Sequence, residues 1–491
     1  MATITFNSVP NNAAASQTFV EVENVNRGGG SPLIQHRVLV IGQYNSGKSP
    51  TDNEPQLILN KEDAWDRYGR GSLLAAQIER VFASGGGVQV YALPVADDGD
   101  ATAASGSFAI SGTATADGTL ALYVAGRRVE VAVTDGDAAT AVGDAIEAAI
   151  NADLDLPVTA SNSTGTVTLT ARWAGEAGNQ IDLDSNRRDD DAVPAGLTLS
   201  TTAMSSGATN PAIDTALGNL GDTWYTEIVC PYLDTTSIGA LESAGDTRYA
   251  PGVKRFFAGF VGYTDTNGNL QTALGSRNSQ WTTMVPVHGS PTPAYEIAAS
   301  AAGVVAATQQ SNPGRPAKNQ ILPGVVADDD NDLTYSTRDT TVKAGGSWTK
   351  NLPGGRVSIG DLVTTRTTAE SGADTDDWRW TVTIGALQFM AYAAETTFTG
   401  SPFDQAVVIG DDNPPGPTYA IRPRTVVAYA ISLVDDWTSR GLIADRDATV
   451  EGITANINSG NSGRIDLLLP VVIAEGLRVM AVKLEFAPVT G

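Results

Sequence analysis

Residues 38–49 read Val-Leu-Val-Ile-Gly-Gln-Tyr-Asn-Ser-Gly-Lys-Ser, an apolar strand-like run closing in a complete G-x-x-x-x-G-K-[ST] string over positions 42–49. Taken alone, that string says nucleotide hydrolase. Such a loop works because its Lys and Ser open a helix whose N-terminal amides and dipole hold phosphate. The residues that follow here do not spell a helix. Pro50 is tolerable in a first turn, but Pro55 falls where a helix interior would be, removing a backbone bond and clashing with the preceding turn. Between them, Thr51-Asp52-Asn53-Glu54 offers no apolar residue to pack on a sheet. The string therefore predicts a turn off a strand end rather than a phosphate site.

At 491 residues the chain is too long for one core and predicts three or four domains. Its 31 basic against 55 acidic residues give a net charge of -24, which argues against direct contact with nucleic acid because phosphates would be repelled. One cysteine, Cys230, excludes an internal disulfide framework. With only His36 and His288 as imidazoles, a zinc site of the usual N/S type is not expected. No basic region followed by an apolar one opens the chain, and no apolar run reaches membrane-spanning length, so neither export nor stable membrane insertion is expected and folding in a reducing cytoplasm is the default.

Along the chain, residues 1–35 read as an arm, with strand-like alternation at Phe19-Val20-Glu21-Val22-Glu23 and a flexible connector at Gly28-Gly29-Gly30. Residues 36–95 alternate strand, loop, helix and strand: Asn60 is positioned to cap a short helix with Ala64 and Trp65, Ser72 a second one through Phe82, and Gly85-Gly86-Gly87 ends it before the strand at 88–93. Composition shifts at Ala96 to a Thr-, Ala- and Gly-rich block over 96–210. Short strands at 108–110, 119–124, 129–133, 157–160 and 166–170 surround one helix carrying Val142, Ile146, Ala149 and Ile150, which reads as an inserted, outward-facing β-rich domain. Residues 211–365 return to α/β alternation, with strands at 227–230, 255–261 and 283–287 and an alanine-rich helix over 294–309 that joins the first block in one layer. In residues 366–491 the pattern predicts a strand at 378–384, a helix around 426–440 and two terminal strands. The last is the clearest: Met480, Val482, Leu484 and Phe486 alternate against Ala481, Lys483 and Glu485. A terminal strand with an apolar face must pair with an earlier part of its own chain or with a neighbouring subunit. The expected fold class is multidomain α+β: an α/β core, an inserted β-rich domain and strand-forming terminal arms.

No constellation supports catalysis. The strand-end carboxylates Asp435 and Asp411 fit a metal-holding position loosely, and the stretch before Asp435 suits a helix better. Neither histidine has a G-x-S-x-G elbow to serve, so both read as structural. Asp328-Asp329-Asp330-Asn331-Asp332, with Asp339 beyond, echoes a calcium loop, but Leu333 stands where the sharp turn needs Gly. No catalytic residue, cofactor or metal ligand is expected.

The chain resembles the contractile tail sheath proteins of Mu-like bacteriophages nearly end to end. The resemblance is carried in order by Val38-Leu39-Val40-Ile41-Gly42-Gln43, Tyr68-Gly69-Arg70-Gly71-Ser72-Leu73, Leu122-Tyr123-Val124-Ala125-Gly126-Arg127-Arg128 and Leu156-Pro157-Val158-Thr159-Ala160. Gly175-Glu176-Ala177-Gly178-Asn179-Gln180-Ile181-Asp182, Gly207-Ala208-Thr209-Asn210-Pro211 and Arg464-Ile465-Asp466-Leu467-Leu468-Leu469-Pro470 continue it. The sequence departs from that pattern at Lys48-Ser49-Pro50 and around residues 364–368. The resemblance implies a non-enzymatic virion subunit, assembled in the host cytoplasm as stacked hexameric rings around a tail tube. It implies self-association and contact with tail tube, baseplate and tail terminator proteins, and contraction that drives the tube through the host envelope. It also implies a sheath core from 36–95 and 211–491, 96–210 facing outward, and terminal arms that add strands to neighbouring subunits; here the strand candidates are Phe19, Val20, Val22, Met480, Val482, Leu484 and Phe486. The sheath of a phage-tail-like bacteriocin or injection device shares these mechanics. Rivals from other classes are a P-loop NTPase, which needs a helix after Ser49, and a glycan-binding adhesin built on the Thr-rich block.

Overall fold

The computed structural model describes residues 33–328, 332–414 and 416–485. The opening apolar run forms β1 (Arg37–Gln43), buried along both faces from Val38 onward, as a central strand of a covered parallel sheet must be. β2 (Gln56–Ile58), α1 (Lys61–Tyr68), α2 (Leu73–Ala83) and β3 (Gln89–Val95) follow. Both expected caps form: the Asn60 side chain accepts from the Asp63 amide at 2.8 Å, and Ser72 Oγ from the Ala75 amide at 3.1 Å. Gly85, Gly86 and Gly87 all take positive φ, which turns the chain from α2 into β3.

The Thr-rich block folds into two small antiparallel sheets. β4 (Ala103–Gly112), β7 (Val158–Ser163), β8 (Thr166–Ala174) and β10 (Leu197–Ser205) make one, in the order β10-β4-β8-β7. The other, in the order β6-β5-β9, is made of β5 (Gly118–Val124), β6 (Arg127–Val133) and β9 (Leu183–Ser185). Alternation places Phe108, Val167 and Leu169 inward, where α3 (Ala139–Ala152) adds Val142, Ile146 and Ile150 to the same core at helical spacing.

α4 (Asp214–Gly218), β11 (Glu227–Val229), α5 (Thr235–Tyr249), β12 (Ala258–Tyr263), α6 (Asn267–Leu274), β13 (Thr282–Pro286) and α7 (Ala294–Ser311) return the chain to the first sheet. β11 pairs parallel with β1, Val38 opposite Glu227, and completes a six-stranded sheet in the order β13-β12-β11-β1-β3-β2, in which only β2 runs antiparallel. Residues on either side of the Thr-rich block thus share one sheet, as the α/β alternation predicts. α7 is buried from Ala294 to Ala306 because its small side chains let it pack between the sheet and α2. Tyr249, Phe256, Trp281 and Trp378 form an aromatic cluster with ring centroids 5.3–6.4 Å apart, Phe256 and Trp281 leading into β12 and β13.

β14 (Ile321–Val326), α8 (Tyr335–Lys343), β15 (Trp348–Leu352) and β16 (Arg356–Asp361) build a three-stranded sheet in the order β14-β16-β15. The strand expected at 378–384 is wrong. Trp378 takes φ 60, which breaks an extended run, and α9 (Thr381–Thr399) begins three residues on. Strand character survives only in an isolated bridge between Val363 and Trp380. Tertiary contacts overrode the local β-propensity of Thr-Val-Thr-Ile: Gln388 Nε2, two turns into the helix, donates to the carbonyls of Thr226 and Phe256 at 2.9 and 3.1 Å.

After β17 (Val407–Val408) and β18 (Ala420–Ile421), the expected helix appears as α10 (Pro423–Ser439), with Asp435 inside it. α11 (Arg446–Glu451) leads into a hairpin of β19 (Thr454–Asn458) and β20 (Asn461–Leu468). Among the described residues the final alternating run is not a paired strand: residues 474–485 lie outside every helix and strand. Lys483 and Glu485 meet as an ion pair, which an extended chain permits because side chains two apart share a face. Phe19, Val20, Val22, Phe486, the 28–30 connector and Asp329-Asp330-Asn331 of the calcium-like loop lie outside the described residues.

Candidate functional site

The phosphate-loop string comes first because its chemistry would be decisive. No helix follows Ser49; the next begins at Lys61. The Lys48 ammonium donates to the Asp66 carbonyl at 2.7 Å, and the Asn45 amide to the Tyr68 carbonyl at 2.9 Å, so the loop is stitched to α1. The crevice beyond the carboxyl end of β1, where open α/β sheets bind ligands, is filled. There Gln43 Nε2 donates to Asp97 Oδ1 at 2.6 Å and to the Ala174 carbonyl, while the buried Tyr232 hydroxyl reaches Gln43 Oε1 at 3.4 Å. Gly42 is needed for close packing rather than for phosphate, since a Cβ there would lie 2.9 Å from Gln77 Nε2 and 3.1 Å from Leu74 Cα. Lys48→Ala is therefore expected to leave the melting temperature and assembly unchanged, and calorimetric titration with Mg-ATP to show no heat with either protein; saturable binding lost on substitution would restore the nucleotide reading.

The other chemical candidates are engaged by neighbouring groups of the fold. His36 Nδ1 lies 2.8 Å from Glu227 Oε1, both side chains fully buried, and Thr226 Oγ1 donates to Glu227 Oε2 at 2.6 Å. This pair ties the residue that leads into β1 to the start of β11. His288 Nδ1 contacts the Asp265 carbonyl, and burial holds its imidazole below the usual range. Asp339 pairs with Lys343 at 2.6 Å, and Asp411 Oδ1 accepts from the Arg424 amide at 3.2 Å. Among the described residues no group of three or more His, Cys, Asp or Glu could hold a metal ion, and no helix is long and apolar enough to cross a membrane. Burial pushes the Cys230 thiol up to about 12. Since the thiolate is the nucleophile, the native protein is expected not to react with iodoacetamide at neutral pH and to take one equivalent when denatured, as intact mass would read.

What remains as a working surface lies at the carboxyl end. Residues 472–474 are tied to the body through Ala444 N to Val472 O at 2.8 Å and Ala474 N to Leu442 O at 2.9 Å. Gly476 then crosses Pro316 so closely that a Cβ would stand 2.6 Å from its Cγ. The Arg478 guanidinium lies 3.5 Å from the Trp380 ring centroid, and Lys318 Nζ donates to the Arg478 carbonyl at 3.2 Å. Beyond this seat the chain lets go: Met480, Val482 and Leu484 are 73, 79 and 88% exposed. Sequence patterning found the free segment but not its seat, because Pro316, Lys318, Trp380 and Arg478 share no local spacing.

The hairpin of β19 and β20 is a two-stranded sheet, packed on α10 and, through β20, close to β17. Its outer edges therefore present backbone donors and acceptors with no strand partner among the described residues. A free apolar strand-former and open sheet edges thus stand on one molecule.

The Thr-rich block is joined to the rest of the chain at several points. Arg70 forks onto Asp155 with two bonds of 2.7 Å, and the hydrogen bond from Arg70 holds the Asp155 carboxyl below its ordinary range. Trp173 meets Tyr295 edge-on at 5.8 Å between centroids, and Asn210 Nδ2 donates to Asp234 Oδ2 at 2.9 Å.

Residues 97–207 match the family model described as the phage tail sheath protein beta-sandwich domain. Over 484 residues the chain is 28% identical to the Mu-like prophage FluMu tail sheath protein of Haemophilus influenzae, covering 98% of this chain and 99% of that one. Similar solved structures include the sheath tail protein of Desulfitobacterium hafniense, at 12% identity and TM-score 0.46, covering 90% of this chain and 93% of that one. Another is a sheath tail protein of Listeria innocua, at 10% identity and TM-score 0.48, covering 91% and 94%. A third is the contracted sheath complex of the PVC extracellular contractile injection system, at 11% identity and TM-score 0.48, covering 96% and 98%.

Proposed function

We infer that the chain is a tail sheath subunit of a contractile phage or phage-like injection system, and that it works by polymerising rather than by catalysis. It stacks as hexameric rings, or the equivalent six-start helix, around a tail tube, between baseplate and tail terminator proteins, as part of a virion. Residues 36–95 and 211–491 form the sheath core, and 96–210 face outward. The observation that carries this reading is the run of residues 479–485, apolar on one side and without a strand partner among the described residues, on a molecule whose β19–β20 hairpin is a sheet of only two strands.

Strand addition to a neighbour satisfies both at once. Each backbone bond formed contributes about 0.5–1.5 kcal/mol net, so a short ladder supplies several kcal/mol per subunit and leaves the linker free to re-aim. Contraction needs no fuel if assembly traps the longer lattice, because the two lattices differ by many small interface gains summed along the tail. The same mechanics serve a phage tail and a phage-tail-like particle. Negative-stain microscopy of the purified protein tests the reading: striated hollow tubes are expected, and a monomer that never polymerises at high concentration would sink it.

A further inference from the structure

A cavity of about 320 Å³ opens beside the seat of the carboxyl-terminal segment, and its charge is opposite to that of the molecule. Lys318, Arg338, Lys343, Arg379 and Arg478 line it against only two carboxylates, Asp339 and Asp361, on a chain with 55 acidic and 31 basic residues. Most of these charges are already matched. Lys343 pairs with Asp339 at 2.6 Å, Arg379 with Asp376 at 2.6 Å, Arg478 with Glu475, and Asp361 Oδ2 accepts from the Trp348 indole at 2.8 Å. Lys318 directs its ammonium to the Arg478 carbonyl.

Arg338 differs. Its guanidinium lies 4.6 Å from the Trp348 ring centroid, and among the described residues that guanidinium makes neither a hydrogen bond nor an ion pair, its Nε being buried without a partner. A planar fork of donors held against an indole has lost conformational freedom but has not received an acceptor. Leaving a charged donor so placed is unfavourable unless something occupies it, and the group that matches the fork is a carboxylate.

We propose that this cleft receives a carboxylate of a second copy of this chain, seated on Arg338 with Lys318 beside it. The proposal rests on the polymerising role inferred above. Two observations select a second copy. A surface of net charge -24 presents carboxylates to any neighbour of its own kind. Arg478 and Val479 line the cleft, so the segment that leaves the body to join another copy departs from its rim and brings that copy alongside.

The test is the critical concentration for tube formation, read by sedimentation across a sodium chloride series, for the wild type, Arg338→Gln and Lys318→Gln. A bidentate charge-assisted pair predicts a rise of about tenfold for Arg338→Gln at low salt, a smaller rise for Lys318→Gln, and a shallower salt dependence for both. An unchanged critical concentration and salt dependence in Arg338→Gln would overturn the proposal. So would tubes that form normally but no longer bind an isolated tail tube, which would give the cleft to a different protein. If Arg338→Gln melts early, Lys318→Gln decides in its place, and an unchanged critical concentration and salt dependence there overturns the proposal equally. A chain ending at residue 479 separates the two readings: its normal assembly would remove the strand-adding role, while the Arg338 comparison would still report on the cleft.

Discussion

Deleting residues 477–491 is expected to abolish tube formation while leaving a folded, soluble subunit. The described part of that segment contributes little to its own body, since Met480, Val482 and Leu484 are at least 73% exposed and residues 479–485 enter no helix or strand. Truncation removes the Arg478 stack on Trp380 and the Lys318 bond to the Arg478 carbonyl, together about 1–3 kcal/mol at most. Under the proposed strand addition assembly suffers far more, because every subunit would forfeit a strand ladder worth several kcal/mol at each junction, and those losses would multiply along a polymer. Sedimentation and microscopy check the first half, circular dichroism and thermal melting the second. Normal tubes from the truncated chain would show that the junctions lie elsewhere.

Gly262→Ala is expected to be the most damaging one-carbon change in the molecule. Gly262 lies within β12 where α7 begins, and a Cβ there would stand 1.8 Å from the Ala294 carbonyl oxygen and 2.6 Å from its carbon. Those are backbone atoms and cannot rotate aside. Nor can α7 retreat, because Gly303 on the same helix is already against α2, where a Cβ would lie 2.7 Å from Ser84 Oγ and 3.1 Å from Val81 Cα. The loss should reach or pass the upper end of the usual overpacking cost, about 3 kcal/mol, and show as a lower urea midpoint with an unchanged slope. Gly239→Ala in α5 is the control: nothing lies within 4 Å of its added Cβ, and helix propensity predicts a gain of about 0.5–1 kcal/mol. Equal midpoints for the two variants would contradict the close approach of α7 to the sheet.

Much of the architecture was legible because it is local. Asn60 and Ser72 cap their helices, Gly85-Gly86-Gly87 turns the chain, and Val142, Ile146 and Ile150 fall on one face of α3, all through interactions within a few residues. The absence of a helix directly after Ser49 was equally readable, since the Pro55 ring excludes a helix interior there and residues 51–54 offer nothing apolar to pack. Residues 378–384 were misread because a seven-residue run in which every side chain but Arg379 is aromatic or β-branched satisfies a strand and a buried helix alike. The contacts of Gln388 with Thr226 and Phe256 decided between them from far along the chain.

By itself the sequence determined the strand that opens the core, the missing helix directly after residues 42–49, and the alternating segment at the carboxyl end. Each depends on side-chain period, a proline ring or a cap, properties the chain carries before it folds. Only the tertiary structure decided that β1 and β11 become neighbours across the Thr-rich block, that Gln43, Asp97 and Tyr232 fill the crevice a ligand would need, and that the Arg338 guanidinium is pinned on Trp348 with no acceptor among the described residues. Those arrangements join residues with no shared spacing, and they arise from burial and packing that no local pattern encodes.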